Sequence, residues 1–190
     1  MNLIMNAMDS FPVLKRRFDI SYLIVLGIFL STGLSYAQPT APRITDYILY
    51  GSEAVYLGSS NTVNEGIIGS DIQVISTGSS LINSAIYSQG LINLANSNDV
   101  TGKITAADAA ALGGMVLYIG SGDLAGDIDV NGDIVIKGGT VRGTVTHPDG
   151  STYSGPTPIG GEIIDNPSLP PAPQMLEITS FPAAGSTDIV

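Results

Sequence analysis

The chain has 190 residues, no cysteine, no tryptophan and a formal charge of −10, with 44% hydrophobic residues. So few basic groups exclude a nucleic-acid surface, which needs clustered Lys and Arg against phosphates. The missing thiols exclude disulfide staples and thiolate metal sites, and the length suits one domain with an appendage.

Residues 1–37 read as a signal peptide. Lys15-Arg16-Arg17 is a basic n-region, Ile20 to Leu30 is an apolar run, and Ser35-Tyr36-Ala37 places small residues at a peptidase site before Gln38. The apolar run is short of the roughly 20 residues a bilayer span needs, so no membrane span is expected after cleavage. Loss of Lys15, Arg16 and Arg17 leaves four of the seven basic residues. Loss of Asp9 and Asp19 leaves fifteen of the seventeen acidic ones, and the mature part then carries about −11. Such a field keeps an exported protein soluble and attracts cations. The expected location is secreted, extracellular or cell-surface, with the periplasm as the alternative.

Residues 38–54 form an extension and cap. Its Pro-rich start is followed, from Arg43 to Leu57, by three tyrosines and several aliphatics, enough to cover the open end of a stack of strands. From residue 55 the sequence repeats itself. A five-residue phrase recurs as Val63-Asn64-Glu65-Gly66-Ile67, Ile82-Asn83-Ser84-Ala85-Ile86, Val100-Thr101-Gly102-Lys103-Ile104, Leu124-Ala125-Gly126-Asp127-Ile128 and Val141-Arg142-Gly143-Thr144-Val145. The starts lie 19, 18, 24 and 17 residues apart, and the alanine- and glycine-rich stretch Ala109 to Gly114 accounts for the long interval.

Between the phrases stand short β-branched runs such as Ile72-Gln73-Val74 and Ile134-Val135-Ile136, bounded by Gly, Asn, Asp and Ser. These are strand and turn signals. A fixed short period is the mark of a solenoid, whose units must stack because none buries its apolar face alone. The predicted fold is all-β, a single-stranded right-handed parallel β-helix of about five 18-residue coils over residues 55–150. Ala106 to Leu112 is the one stretch with a trace of helical pattern.

Residues 151–190 hold eight of the eleven prolines. Proline lacks a ladder donor, so this part is expected to leave the solenoid as a Pro-rich tail or linker, running along the column or out from it.

The Val-x-Gly-x-Ile phrase at its period of 17 to 18, over about residues 55–146, resembles bactofilin-type right-handed β-helices. Those are typically cytoplasmic filament formers, whereas this chain carries an export signal. More loosely, Thr146-His147-Pro148-Asp149-Gly150, Thr152 to Pro158 and Phe181-Pro182-Ala183-Ala184-Gly185 make the chain similar to the opening segment of large secreted bacterial surface proteins. That resemblance implies a surface or adhesion role and brings no catalytic residues with it.

The candidate metal site is Asp127-Ile128-Asp129-Val130-Asn131-Gly132-Asp133, with oxygen ligands Asp127, Asp129, Asn131 and Asp133 at alternate positions, like the first half of a calcium loop. Gly138 stands where the closing Glu should be, and a solenoid corner accounts for the same residues with Ile128 and Val130 inside. His147 is the only histidine, and no Gly-x-Ser-x-Gly nucleophile phrase accompanies it. A carbohydrate-active β-helix would need paired acids or a base with calcium. Asp127 and Asp129 share a strand face, with Asp108, Asp133, Lys103, Lys137 and Arg142 as further candidates. An ice-binding face would need threonines in one phase, and the seven from Thr62 to Thr146 do not share one.

The expected function is a non-catalytic structural or adhesion module. A carbohydrate-active enzyme, a calcium-binding solenoid and an ice-binding solenoid are the alternatives. Expected partners are a second copy stacked end to end, a downstream domain, or a surface polysaccharide or protein.

Overall fold

The computed structural model describes residues 42–107 and 114–173. The signal-peptide assignment falls outside these residues, as do the candidate Asp108, positions 109–113 of the insertion and 174–190 of the tail. A 3-10 turn, Ile44–Asp46, leads into β1 (Tyr47–Gly51), and from there every strand pairing is parallel. Each turn of chain contributes three strand positions, and the strands of successive turns stack into a β-solenoid of about six coils. One coil more than the sequence implies comes from residues 153–164, which stay in the ladder despite their prolines.

The first face is a six-stranded sheet: β2 (Ala54–Leu57), β4 (Gln73–Ser76), β6 (Leu91–Leu94), β9 (Met115–Ile119), β12 (Asp133–Ile136) and β15 (Tyr153–Ser154). The second and third faces begin as two long strands, β3 (Thr62–Ser70) and β5 (Leu81–Ser88), that run through both. In later coils the path divides. The second face continues with β7 (Asp99–Val100), β10 (Asp123–Leu124) and β13 (Thr140–Val141). The third continues with β8 (Ile104–Ala106), β11 (Ile128–Val130), β14 (Val145–His147) and β16 (Glu162–Ile164).

Alternation along each strand sends one set of side chains inward, and equivalent positions form ladders. Val74, Ile92, Leu117 and Ile134 line the first face, Ile82, Val100, Leu124 and Val141 the second, and Ile86, Ile104, Ile128 and Val145 the third, all buried. The core is therefore a continuous aliphatic rod, and backbone bonds run along its length on all sides.

Two irregularities shift the register read from sequence. In β3, Asn64 pairs with Asn83 but Ile67 pairs with Ala85, so one extra residue is taken up where Glu65 and Gly66 adopt positive φ. That bulge puts Ile68, not Ile67, into the ladder with Ile86, and the first phrase is really six residues long. In β9 the partner shifts between Met115 and Leu117, and Val116 and Leu117 are both buried beside the insertion.

The glycines of the phrase have a role that turn geometry does not explain. A Cβ on Gly102, Gly126, Gly143 or Gly160 would meet the backbone of the coil below, at Ser84, Gly102, Gly126 and Gly143 respectively. Successive coils touch backbone to backbone along this seam, and only glycine leaves room.

At the far end, Ile159 donates its N–H to the Val141 carbonyl as Arg142 does to Leu124, which sets the buried Pro158 in the slot above Val141. Residues in that slot direct their N–H to the next coil. Proline has none to offer, so it ends the second face without leaving a bare donor.

Candidate functional site

The four proposed calcium ligands lie on two faces and are each tied to a neighbouring coil. Asp127 precedes β11, and its Oδ1 accepts from the Thr144 amide at 2.9 Å and the Thr144 hydroxyl at 2.7 Å. Those two bonds, the hydroxyl first, hold its carboxyl below the usual carboxylate range. Asp129 points outward from β11 and pairs with Lys103 at 2.5 Å. Asn131 donates to the Ala107 carbonyl at 3.0 Å. Asp133 opens the first-face strand β12 and accepts from the Thr152 amide at 2.7 Å and its hydroxyl at 3.0 Å. Ile128 and Val130 between them are fully buried. Asp127 thus reaches one coil forward and Asp129 one coil back. Among the described residues, no three His, Cys, Asp or Glu side chains converge into a group able to hold a metal.

The same habit runs through the other polar candidates. Arg142 meets Asp123 at 3.4 Å, Asn83 meets Asn64 at 2.9 Å, and Asp99 accepts from the Asp123 amide at 2.8 Å. His147 occupies the inward corner position above Val130 and is 2% exposed. Its Nε2 lies 2.9 Å from Glu162 and its Nδ1 3.1 Å from the Pro148 carbonyl. A histidine closed on both nitrogens by its own coil end is not presented to a substrate. Inside the column, Ser76 replaces an aliphatic in the ladder between Leu57 and Leu94 and bonds Asn98 at 2.7 Å. The buried Asn98 amide in turn holds the Ala95 carbonyl at 2.7 Å.

One assembly escaped the sequence reading. The outward positions along the third face are Tyr50, Gly69, Tyr87, Thr105, Asp129, Thr146 and Ile163. Tyr47 lies over Gly69 and packs edge-on against Tyr50 and Tyr87, with ring centroids 5.0 and 6.5 Å away. The Tyr50 hydroxyl bonds Asp71, and Tyr87 receives a bond from Gln89. The Tyr47 hydroxyl is buried with no partner among the described residues. Burial raises all three phenols, Tyr87 to about 12.

Outward side chains on a solenoid face ordinarily meet water, yet Tyr87 is 3% and Thr105 7% exposed. Over Tyr87 the cover includes Tyr47 and the chain's own tail. Asp165 is bound through its N–H to the His147 carbonyl, and Tyr87 donates its hydroxyl to the Pro170 carbonyl at 2.9 Å. Between those anchors lie four coil spacings, about 19 Å, against five residues that reach about 17 Å when extended. Residues 165–170 therefore lead from the last coil back to the level of Tyr87 in an extended form. The signal was available in the sequence: Tyr87 follows Tyr50 by two repeat periods and so must share its face.

Among the described residues no helix is long and apolar enough to cross a membrane. No protein-family model matches the chain, and neither a curated protein nor a solved structure matches it.

Proposed function

We propose that this chain is a non-catalytic structural or adhesion module of an exported protein. The observation that carries the reading is where the polar side chains are spent. Asp127, Asp129, Asp133, Asp123 and Asp99 each bind the coil above or below, and among the described residues no three acidic or histidine side chains converge on one point. Groups used in this way hold a column together. A sugar-cleaving site needs carboxyls about 5 to 10 Å apart facing one bond, and fold alone supplies no activity.

The glycine phrase continues to support a likeness to bactofilin-type β-helices and to the first module of large bacterial surface proteins, and the basic and apolar N-terminal segment supports export. Pro158 at the last coil speaks against copies adding end to end through the second face. A surface polymer, a surface protein or a following segment of the same polypeptide is the partner this reading favours.

The test is to express the full chain with its own N-terminus in a bacterial host, fractionate the cells, and assay the exported product on acidic and neutral polysaccharides. Export with no cleavage of any polysaccharide supports the module. Retention in the cytosol removes the export half of the reading, and depolymerisation of any substrate removes the non-catalytic half.

A further inference from the structure

The geometry points to the tyrosine face as a binding site for extended proline-rich strands, filled in cis by residues 167–173 and able to take the same segment from a second copy. Three observations meet there. The segment Pro167-Ser168-Leu169-Pro170-Pro171-Ala172-Pro173 has a composition that favours the polyproline II conformation, with backbone carbonyls left unpaired. The surface offered to it is a cluster of three tyrosines with edge-on packing, one of which already donates a hydroxyl to a proline carbonyl. Aromatic rings that pack on pyrrolidines and donate to the intervening carbonyls are the general chemistry of proline recognition. Pro173 itself is buried, so contact continues past the Tyr87 bond.

The buried Tyr47 hydroxyl, on a ring 6.5 Å from that of Tyr87, is a second donor and has no partner among the described residues. A strand free of the tether at Asp165 has the freedom to shift along the face and meet both hydroxyls. The tether also limits the cis complex, because the bound segment is held at Asp165 only five residues before Pro170. A second copy's segment carries no such restriction. Exchange in trans needs only release of the short strap and leaves every ladder bond in place.

The experiment uses the full chain with Pro170→Gly and Pro171→Gly, which disorder the strap and leave the tyrosines untouched, and a labelled peptide spanning residues 166–173. Fluorescence anisotropy should show sub-millimolar binding to this variant. Binding to the unaltered chain should be at least about tenfold weaker, because the tethered strap competes at high effective concentration. Adding Tyr87→Phe to the released variant should weaken the peptide about five- to tenfold, the worth of one hydrogen bond. No binding to the released variant, equal binding to both chains, or indifference to Tyr87→Phe each overturns the proposal. If the released variant does not fold, the unaltered chain decides. Millimolar peptide must then shift the NMR signals of Tyr87 and Tyr50 but not those of Tyr118 on the first face, and the absence of that pattern refutes the site.

Discussion

Replacing Gly126 by Ala tests the backbone-to-backbone seam directly. The added methyl would press on the Gly102 carbonyl oxygen, with the carbonyl carbon at 2.5 Å and the Lys103 nitrogen at 2.8 Å. Carbon contacts settle at about 3.5 Å or more, so two coils must separate locally by close to ~1 Å. The bonds that resist are Ala125 N–H to the Val100 carbonyl at 2.8 Å and Ile104 N–H to the Asp127 carbonyl at 2.9 Å. Stretched by that amount, neither remains a hydrogen bond. Two such losses at about 1 kcal/mol each, with residual overlap of similar size, are offset by about 0.5 to 1 kcal/mol from the stiffer unfolded chain. The net expectation is destabilisation by about 2 to 3 kcal/mol, a drop in Tm of about 5 to 10 °C for a domain of this size. Gly138→Ala is the control. Its nearest neighbour is the Ser121 Cβ at 3.9 Å and its φ is not left-handed, so it should be neutral or stabilising by up to about 1 kcal/mol. Thermal melting of both variants by circular dichroism decides the matter. If the two melt within about 2 °C of each other, by the same scale, the seam is not a close contact and the reasoning is wrong.

Three further outcomes are expected. Asp127→Ala should cost about 1 kcal/mol at neutral pH, modest because the group is exposed. The carboxyl's folded pKa is lowered, so its contribution is present above about pH 4 and fades as pH falls through the folded value. Melting curves of wild type and variant should differ at pH 6 and converge on acidification; a constant gap would show that the Thr144 bonds do not depend on charge. Ser76→Ala should cost about 1 to 3 kcal/mol by stranding the buried Asn98 carboxamide, read as a lower urea midpoint with unchanged slope, and an unmoved midpoint would dismiss the bond. In an absorbance titration of the phenols, Tyr47, Tyr50, Tyr87 and Tyr153 should stay neutral at pH 11 while the fold holds, their pKa values raised chiefly by burial. Stability from these four is fully present below about pH 10 and is lost as pH rises through their folded values. Complete ionisation near pH 10 in the folded chain would refute their burial.

The column was legible because a solenoid writes its geometry into a period. Val100, Leu124 and Val141 recur with a glycine two residues on, and the ladders and seam follow from that spacing. What stayed hidden depends on single residues breaking the period. The bulge at Glu65 and Gly66 cannot be told from an ordinary phrase, because Ile67 and Ile68 are both isoleucine and only the pairing with Ile86 chooses between them. The sixth coil was hidden by its prolines, whose missing donors matter inside a ladder but not at its last slot, where Pro158 sits. Asp127 to Asp133 read as a ligand set because oxygen-bearing residues recur at every second position there, although the corner at Asn131 and Gly132 carries Asp133 onto another face. The sequence does not show that Thr144 binds Asp127 and Thr152 binds Asp133, each from one coil away. The Tyr47, Tyr50 and Tyr87 cluster was readable in part, since two periods separate Tyr50 from Tyr87. The return of the tail was not, because nothing local to Pro170 names the face it meets.

The seam of Gly102, Gly126, Gly143 and Gly160 gives the column edges of unequal tolerance to substitution. Along that line a side chain of any size would meet the backbone of the coil below, while the hydrogen bonds on either side keep their ordinary length. The seam therefore works as a filter on sequence: a mutation there has to open the column, whereas a mutation at an outward position has open solvent to enter. Drift in the repeat is confined to the other edges, and the glycine edge keeps the coils at one spacing.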